Sequence, residues 1–115
     1  MNENQPPTLT HGQARVLQKL LQAGFQFANL EHVARHIVVE KAGFVALLDP
    51  ADGQMRLFSQ MGYRVGAGIG MLLEQGARQA FVWKKESVEA TPDLLAAYER
   101  VKEELTEILN TKIEL

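Results

Sequence analysis

The chain contains no cysteine. Disulfide bridges, a thiol nucleophile, iron–sulfur clusters and cysteine-type zinc sites are therefore excluded, and the composition agrees with a reducing compartment. Long apolar runs are also missing: none approaches the ~18 residues that a membrane-spanning helix needs. The opening Met1-Asn2-Glu3-Asn4-Gln5-Pro6-Pro7 lacks the basic and apolar regions of a signal peptide, so a cytoplasmic location without membrane contact is expected. An excess of one charge is absent too. Twelve Lys+Arg against fourteen Asp+Glu leave a formal net charge of −2, which argues against a generally basic nucleic-acid binder and against an acidic tail. What the chain does have is 46% apolar and 23% charged residues in a length of 115, the make-up of one small globular domain. That size supports a modest core and leaves little room for a deep enclosed site.

The polar, Pro-Pro-containing residues 1–9 are expected to form a disordered tail, followed by a single domain over 10–115. Thr10 stands three residues before Gln13, the spacing of a capping box, so a helix is expected to start there, with Val16, Leu17, Leu20 and Leu21 on one side. Asn29 is placed to cap a second helix whose stripe is Leu30, Val33, Ala34, Ile37 and Val38, closed by Gly43. Phe44-Val45-Ala46-Leu47-Leu48 then reads as a strand, Asp49-Pro50-Ala51-Asp52-Gly53 as a turn, and Gln54–Met61 as an antiparallel partner strand. Because the first of these strands is apolar at consecutive positions, both faces of the sheet are expected to be covered there. Met71–Glu74 begins either a third strand or a short helix ending at Gly76. Arg78–Trp83 and the alternating Ser87–Ala90 read as further strands, the latter at an edge. Thr91-Pro92-Asp93 opens a final helix along which Leu94, Tyr98, Val101, Leu105 and Ile108 recur at helical steps. The expectation is an α+β domain: an antiparallel sheet of four or five strands packed by N-terminal helices and a C-terminal amphipathic helix. The final stripe fits its own sheet better than a second copy, since it spans only about two heptads, yet it is also the candidate dimer interface.

Few residues gather into a pattern that carries chemistry. His32, His36 and Glu40 share one face if the second helix forms, which is metal-ligand spacing. The segment is not HExxH, however, and its face is opposite the apolar stripe, so a solvated surface and no metal are expected. Gly66, Gly68 and Gly70 are spaced GxGxG rather than GxGxxG and no GK[ST] follows, so a bend or bulge accounts for them. The alternative is a ligand-adjacent loop in which Tyr63 and Arg64 supply a ring and a cation. Residues 55–85 hold five cations and one acid, and residues 86–115 hold eight acids and three cations, an asymmetry that the fold can compensate internally. No recognised RNA-binding motif accompanies Phe81, Trp83 and the basic residues, and nucleic acid is not an expected partner. The three histidines show no spacing specific to nucleophilic catalysis.

From Leu30 to Gly62, the order of a capped helix, the run Ala42–Pro50, the run Asp52–Leu57 and a glycine after the strand at Gly62 resembles the opening of GAF sensory domains, where a helix leads into a strand, a DPxxG-type hairpin and a glycine-terminated second strand, and more loosely roadblock and PAS modules. The stretch after Gly62 is shorter than a full GAF domain, a bilin-attaching cysteine is missing, and no cyclic-nucleotide signature is present, so no ligand site is carried over. The resemblance implies a noncatalytic α+β regulatory module whose helices mediate dimerisation. The expected function is accordingly a regulatory or protein-interaction module without cofactor, partnered by a second copy or another protein. The alternative is a small-molecule or anion-binding domain built on the glycine-rich stretch 62–70 with Tyr63, Arg64, Gly66, Gly68 and Gly70.

Overall fold

The computed structural model describes residues 9–28 and 36–110. Its first helix, α1 (His11–Gln22), starts as the sequence dictates: Gln13 N–H donates to Thr10 Oγ1 (3.1 Å), and Thr10 N–H donates to the Gln13 side-chain carbonyl (2.9 Å). Gln13 is buried, and its Nε2 donates to the Gln54 carbonyl (2.8 Å), which pins α1 to the sheet. Residues 1–8 of the expected tail lie outside the described residues, and Leu9 packs against the core.

Among the described residues eight strands follow: β1 (Gln26–Phe27), β2 (Ile37–Lys41), β3 (Phe44–Ala51), β4 (Gln54–Leu57), β5 (Gly62–Val65), β6 (Gly68–Gln75), β7 (Arg78–Trp83) and β8 (Glu86–Glu89). All pairings are antiparallel, and the sheet runs β1-β2-β3-β5-β6-β7-β8 with β4 also on β3, curled into a half-barrel. The expectation of four or five strands was too low for a definable reason. The turns at 42–43, 52–53, 66–67, 76–77 and 84–85 are only two residues long, so glycine-rich stretches that suggest loops are hairpin tips between paired strands.

The second helix is corrected in the same way. Ile37–Lys41 is a strand paired with β1 and β3, and positions 29–35 lie outside the described residues. An Ile-Val-Val run suits a pleated surface, and its alternation places Val39 in the core cluster while Val38 points to the opposite face. Gly43 does not cap a helix. With Ala42 at φ 54° and Gly43 at φ 87° the pair forms the mirror-image turn that a two-residue hairpin requires, and glycine meets that demand without a steric penalty. Met71–Glu74, open between strand and helix in the sequence, belongs to β6.

β4 and β5 lie along the same edge of β3. Leu57 pairs with Leu48 and Tyr63 with Phe44, so six steps on one strand oppose four on the other, a bulge with two extra residues. An even insertion keeps the alternation in phase, and side chains on both sides of the bulge retain their faces.

The inner face of the sheet holds the core. Phe44, Ala46, Leu48, Val39, Met55, Val65 and Phe81 meet Val16, Leu17 and Leu20 of α1 and Tyr98, Val101 and Leu105 of α2 (Pro92–Asn110). Thr91 Oγ1 accepts from Leu94 N–H (3.2 Å), with Pro92 in the first helical position. At the centre four rings pack edge-on or tilted: Phe44 with Tyr63 at 5.1 Å, Phe81 with Tyr63 at 5.3 Å, and Phe81 with Tyr98 at 5.6 Å between centroids. Such pairs add about 0.5–1.5 kcal/mol each beyond area burial. Lys41 Nζ donates to the Ala23 carbonyl (2.7 Å) and to both carboxylate oxygens of Glu104 (2.7 and 3.0 Å), fastening the end of α1 and the middle of α2 to β2.

The Tyr98 hydroxyl donates to the Met61 carbonyl (3.2 Å), and the phenol pKa is raised, first by burial and then by the negative charge of Glu99. A raised folded-state pKa means stability that is complete below the unfolded phenol value, near 10, and is lost as pH rises through the higher folded value. Urea midpoints measured between neutral and strongly alkaline pH should fall on the alkaline side for the native chain. Tyr98→Phe should lower the unfolding free energy at neutral pH by about 1 kcal/mol for the lost hydrogen bond, with a shallower alkaline decline of the midpoint.

Candidate functional site

Register decides which side chains are left over once the core is filled. Partners across antiparallel strands share a face, so Val38 and Leu47, Val45 and Gly62, Met71 and Val82, and Leu73 and Ala80 all point away from the helices. Phe58 N–H donates to the Leu47 carbonyl (2.8 Å), which extends the β3–β4 register by one step and puts Phe58 beside Leu47 on this outer face. Three buried apolar residues, Val38, Val45 and Ala80, sit here and are not members of the core cluster.

The outer face is thus apolar across β2, β3, β6 and β7, and two large side chains on it are open to solvent: Phe58 is 56% exposed and Leu73 50% exposed. His36 stacks on Phe58 with ring centroids 3.9 Å apart, bridging over the β3 strand between them. An ordinary antiparallel sheet of this kind alternates apolar-in and polar-out. Here Phe44–Leu48 and Gly68–Leu73 are apolar on both sides. At Val45 the second face is covered by the ion pair of Glu40 and Arg64, in which Arg64 Nε donates to one carboxylate oxygen (2.7 Å) and its terminal nitrogen to the other (3.2 Å). Bonding to Glu40 raises the Arg64 pKa further above its ordinary value, so this cation is permanent. Gly62 gives the face a flat centre, because a Cβ there would run into the Ile69 side chain and come within 2.6 Å of the Gly70 carbonyl oxygen.

The structure does not assemble the ligand set of the sequence reading. Tyr63 and Arg64 are neighbours on β5 and point to opposite faces: Tyr63 into the aromatic core, Arg64 outward to Glu40. Gly66 lies in the turn before β6, where a Cβ would collide with the Glu86 carboxylate. Gly68 lies in the strand under the Trp83 ring, and a Cβ would overlap that ring, so its lack of a side chain serves packing. Gly70 is crowded in turn by the Val65 side chain and the backbone of β7. The helical stripe has a home as well. Tyr98, Val101 and Leu105 are buried in the chain's own core, and Leu94 and Ile108 pack against it, so the side chains marked as a candidate interface are already covered by the sheet.

His36 and Glu40 are not on a helix. Glu40 is in β2 and bonded to Arg64, His36 is stacked on Phe58, and His32 lies outside the described residues. Among the described residues no group of three His, Asp or Glu is arranged to hold a metal ion. Depressions of about 410 and 550 Å³ flank α2, but charged side chains such as Lys102, Glu103 and Arg100 line them, and they lie open rather than enclosed. No described helix is long and apolar enough to cross a membrane. The basic stretch 55–85 is partly balanced by neighbours, with Arg64 on Glu40 and Arg78 3.8 Å from Glu89 of the acidic stretch. Phe58 and Leu73 carried no signal in the sequence, since each ends a short apolar run, Leu57-Phe58 and Met71-Leu72-Leu73, and which member of a run faces the core is undecided until register is known. No family model, curated protein or solved structure matches the chain.

Proposed function

We propose that the chain is a noncatalytic protein-docking module that meets its partner through the outer face of its sheet. The observation that carries this reading is the pair Phe58 and Leu73, both half or more exposed on a face whose remaining centre is apolar and separate from the core. Scattered exposed apolar residues are ordinary, whereas apolar residues collected on one face mark an interaction surface. The regulatory or protein-interaction class expected from the sequence is compatible with this surface, and a pocket-based reading has less support, because the glycines of 66–70 are filled by neighbouring side chains.

The test is a titration of the purified chain with the apolar-surface dye bis-ANS, native against Phe58→Lys/Leu73→Lys. The native chain should bind dye, and the double variant should bind about tenfold less tightly while its urea stability stays within about 0.5 kcal/mol, as exposed substitutions do. Equal dye binding by both chains would remove the outer face as a docking surface.

A further inference from the structure

We infer that the occupant of this face is a second copy of the chain, packed sheet on sheet, an inference that rests on the docking reading above. Charge carries it. By register, the charged groups on the outer face of the described strands are Glu40, Asp49 and Glu89 with Arg56, Arg64 and Arg78, acids and arginines in equal number, and His36 lies on the same face against Phe58. Each acid has a counterpart nearby on its own face: Glu40 with Arg64 at 2.7 Å, Glu89 with Arg78 at 3.8 Å, and Asp49 directly opposite Arg56 in register. With acids and arginines balanced, and Glu40–Arg64 and Glu89–Arg78 paired in place, the described face offers no excess of arginine to nucleic acid or to an anionic bilayer. The same balance lets two identical faces approach without repulsion, and stacked sheets about 10 Å apart interdigitate the kind of side chains found here, Leu47, Phe58, Met71 and Leu73.

Size sets the strength of this contact. From β2 to β7 the face crosses four strand spacings of about 4.8 Å, and with strands of about 20 Å the flat area is on the order of 400 Å² per copy. A standard stable interface buries about 800 Å² per partner. Curling of the sheet away from the partner reduces the contact further, so the dimer is reversible, with dissociation in the micromolar range or weaker. The symmetry is isologous: Phe58 and Leu73 of both copies contribute, and removing them removes both halves of the contact.

Sedimentation velocity of the full chain from about 1 µM to about 1 mM tests this directly. The native chain should pass from monomer to dimer over that range. Phe58→Lys/Leu73→Lys should weaken the association at least about tenfold, and Leu21→Lys, at an exposed position on α1, should leave it unchanged. Circular dichroism confirms that the variants are folded, and Leu73→Ser provides a milder second substitution with the same expected direction. A native chain that stays monomeric throughout while still binding bis-ANS overturns the second copy and leaves the docking reading standing. A monomer that binds no dye overturns both. Dimerisation that survives the double substitution places the contact elsewhere and overturns the inference, as does flotation of the monomer with neutral phosphatidylcholine vesicles, which would give the face to lipid.

Discussion

Phe81→Ala is expected to lower the unfolding free energy by about 3–5 kcal/mol. Phe81 is fully buried at the middle of β7, with Phe44, Tyr63 and Tyr98 around it at centroid distances of 6.3, 5.3 and 5.6 Å. Its removal takes one ring from each of three aromatic contacts and leaves a cavity that β7 cannot close, because the β7 backbone at Phe81 already lies against Gly70. A domain of this length has roughly 5–15 kcal/mol in total, so a large share of its stability goes with one side chain. Urea unfolding followed by far-ultraviolet circular dichroism measures the loss. A cost below about 1 kcal/mol would mean that this ring is not at the centre of the core.

Leu105→Asp is expected to do more, and it separates two readings of the last helix. Leu105 is fully buried between α2 and the inner face of the sheet. A carboxylate there has no partner, and an unpaired buried charge costs several kcal/mol, above about 4 in the usual range of such substitutions. The variant should be largely unfolded at neutral pH. Burial raises the pKa of the introduced carboxyl, so part of the stability should return as pH falls below that raised value and the neutral acid replaces the charge. Were the stripe Leu94, Tyr98, Val101, Leu105 and Ile108 an interface between copies only, the same substitution would give a folded monomer at all pH values. Thermal melts from about pH 4 to about pH 7, within the range where a raised carboxyl titrates, decide between the two outcomes.

The parts of this fold that were legible in the sequence are those specified by local chemistry. The Thr10/Gln13 capping box and the Thr91-Pro92 helix start each depend on a few adjacent residues and stand where expected. The hairpin after Phe44–Leu48 forms too, but its turn is Asp52-Gly53 alone, with Asp49–Ala51 continuing β3 and the partner strand ending at Leu57 rather than Met61. Ile37–Lys41 was not legible, because apolar residues at Leu30, Val33, Ala34, Ile37 and Val38 satisfy a helical period while Ile-Val-Val equally satisfies a pleat. Only pairing with Phe44–Leu48 through the Ala42-Gly43 turn decides for the strand. The glycines of 66–70 gave a similar ambiguity: a permissive backbone suggests a ligand loop, while the crowding of Trp83 on Gly68 is a tertiary fact.

The candidate site was the least legible of all. Phe58 and Leu73 are fifteen positions apart in a chain where neither belongs to a motif, and two things bring them to one face. One is the two-residue length of the hairpins, and the other is the even bulge between β4 and β5 that keeps side chains in phase. A single inserted residue instead of two would turn Arg64 inward and Tyr63 outward, exchanging a core ring for a buried cation. Sequence patterning records that the residues alternate but not which set meets the helices.

Carbene footprinting of the chain, held dilute enough to sediment as a monomer, tests the outer face most directly. If this face is a docking surface, Phe58, Met71 and Leu73 are labelled strongly and Phe81 and Leu105 are not, and the labelling at Phe58 and Leu73 declines as concentration rises into the range of self-association. Labelling of Phe58 and Leu73 as weak as that of Phe81 in the dilute monomer would show the face to be covered by the chain itself, and the docking module would be contradicted.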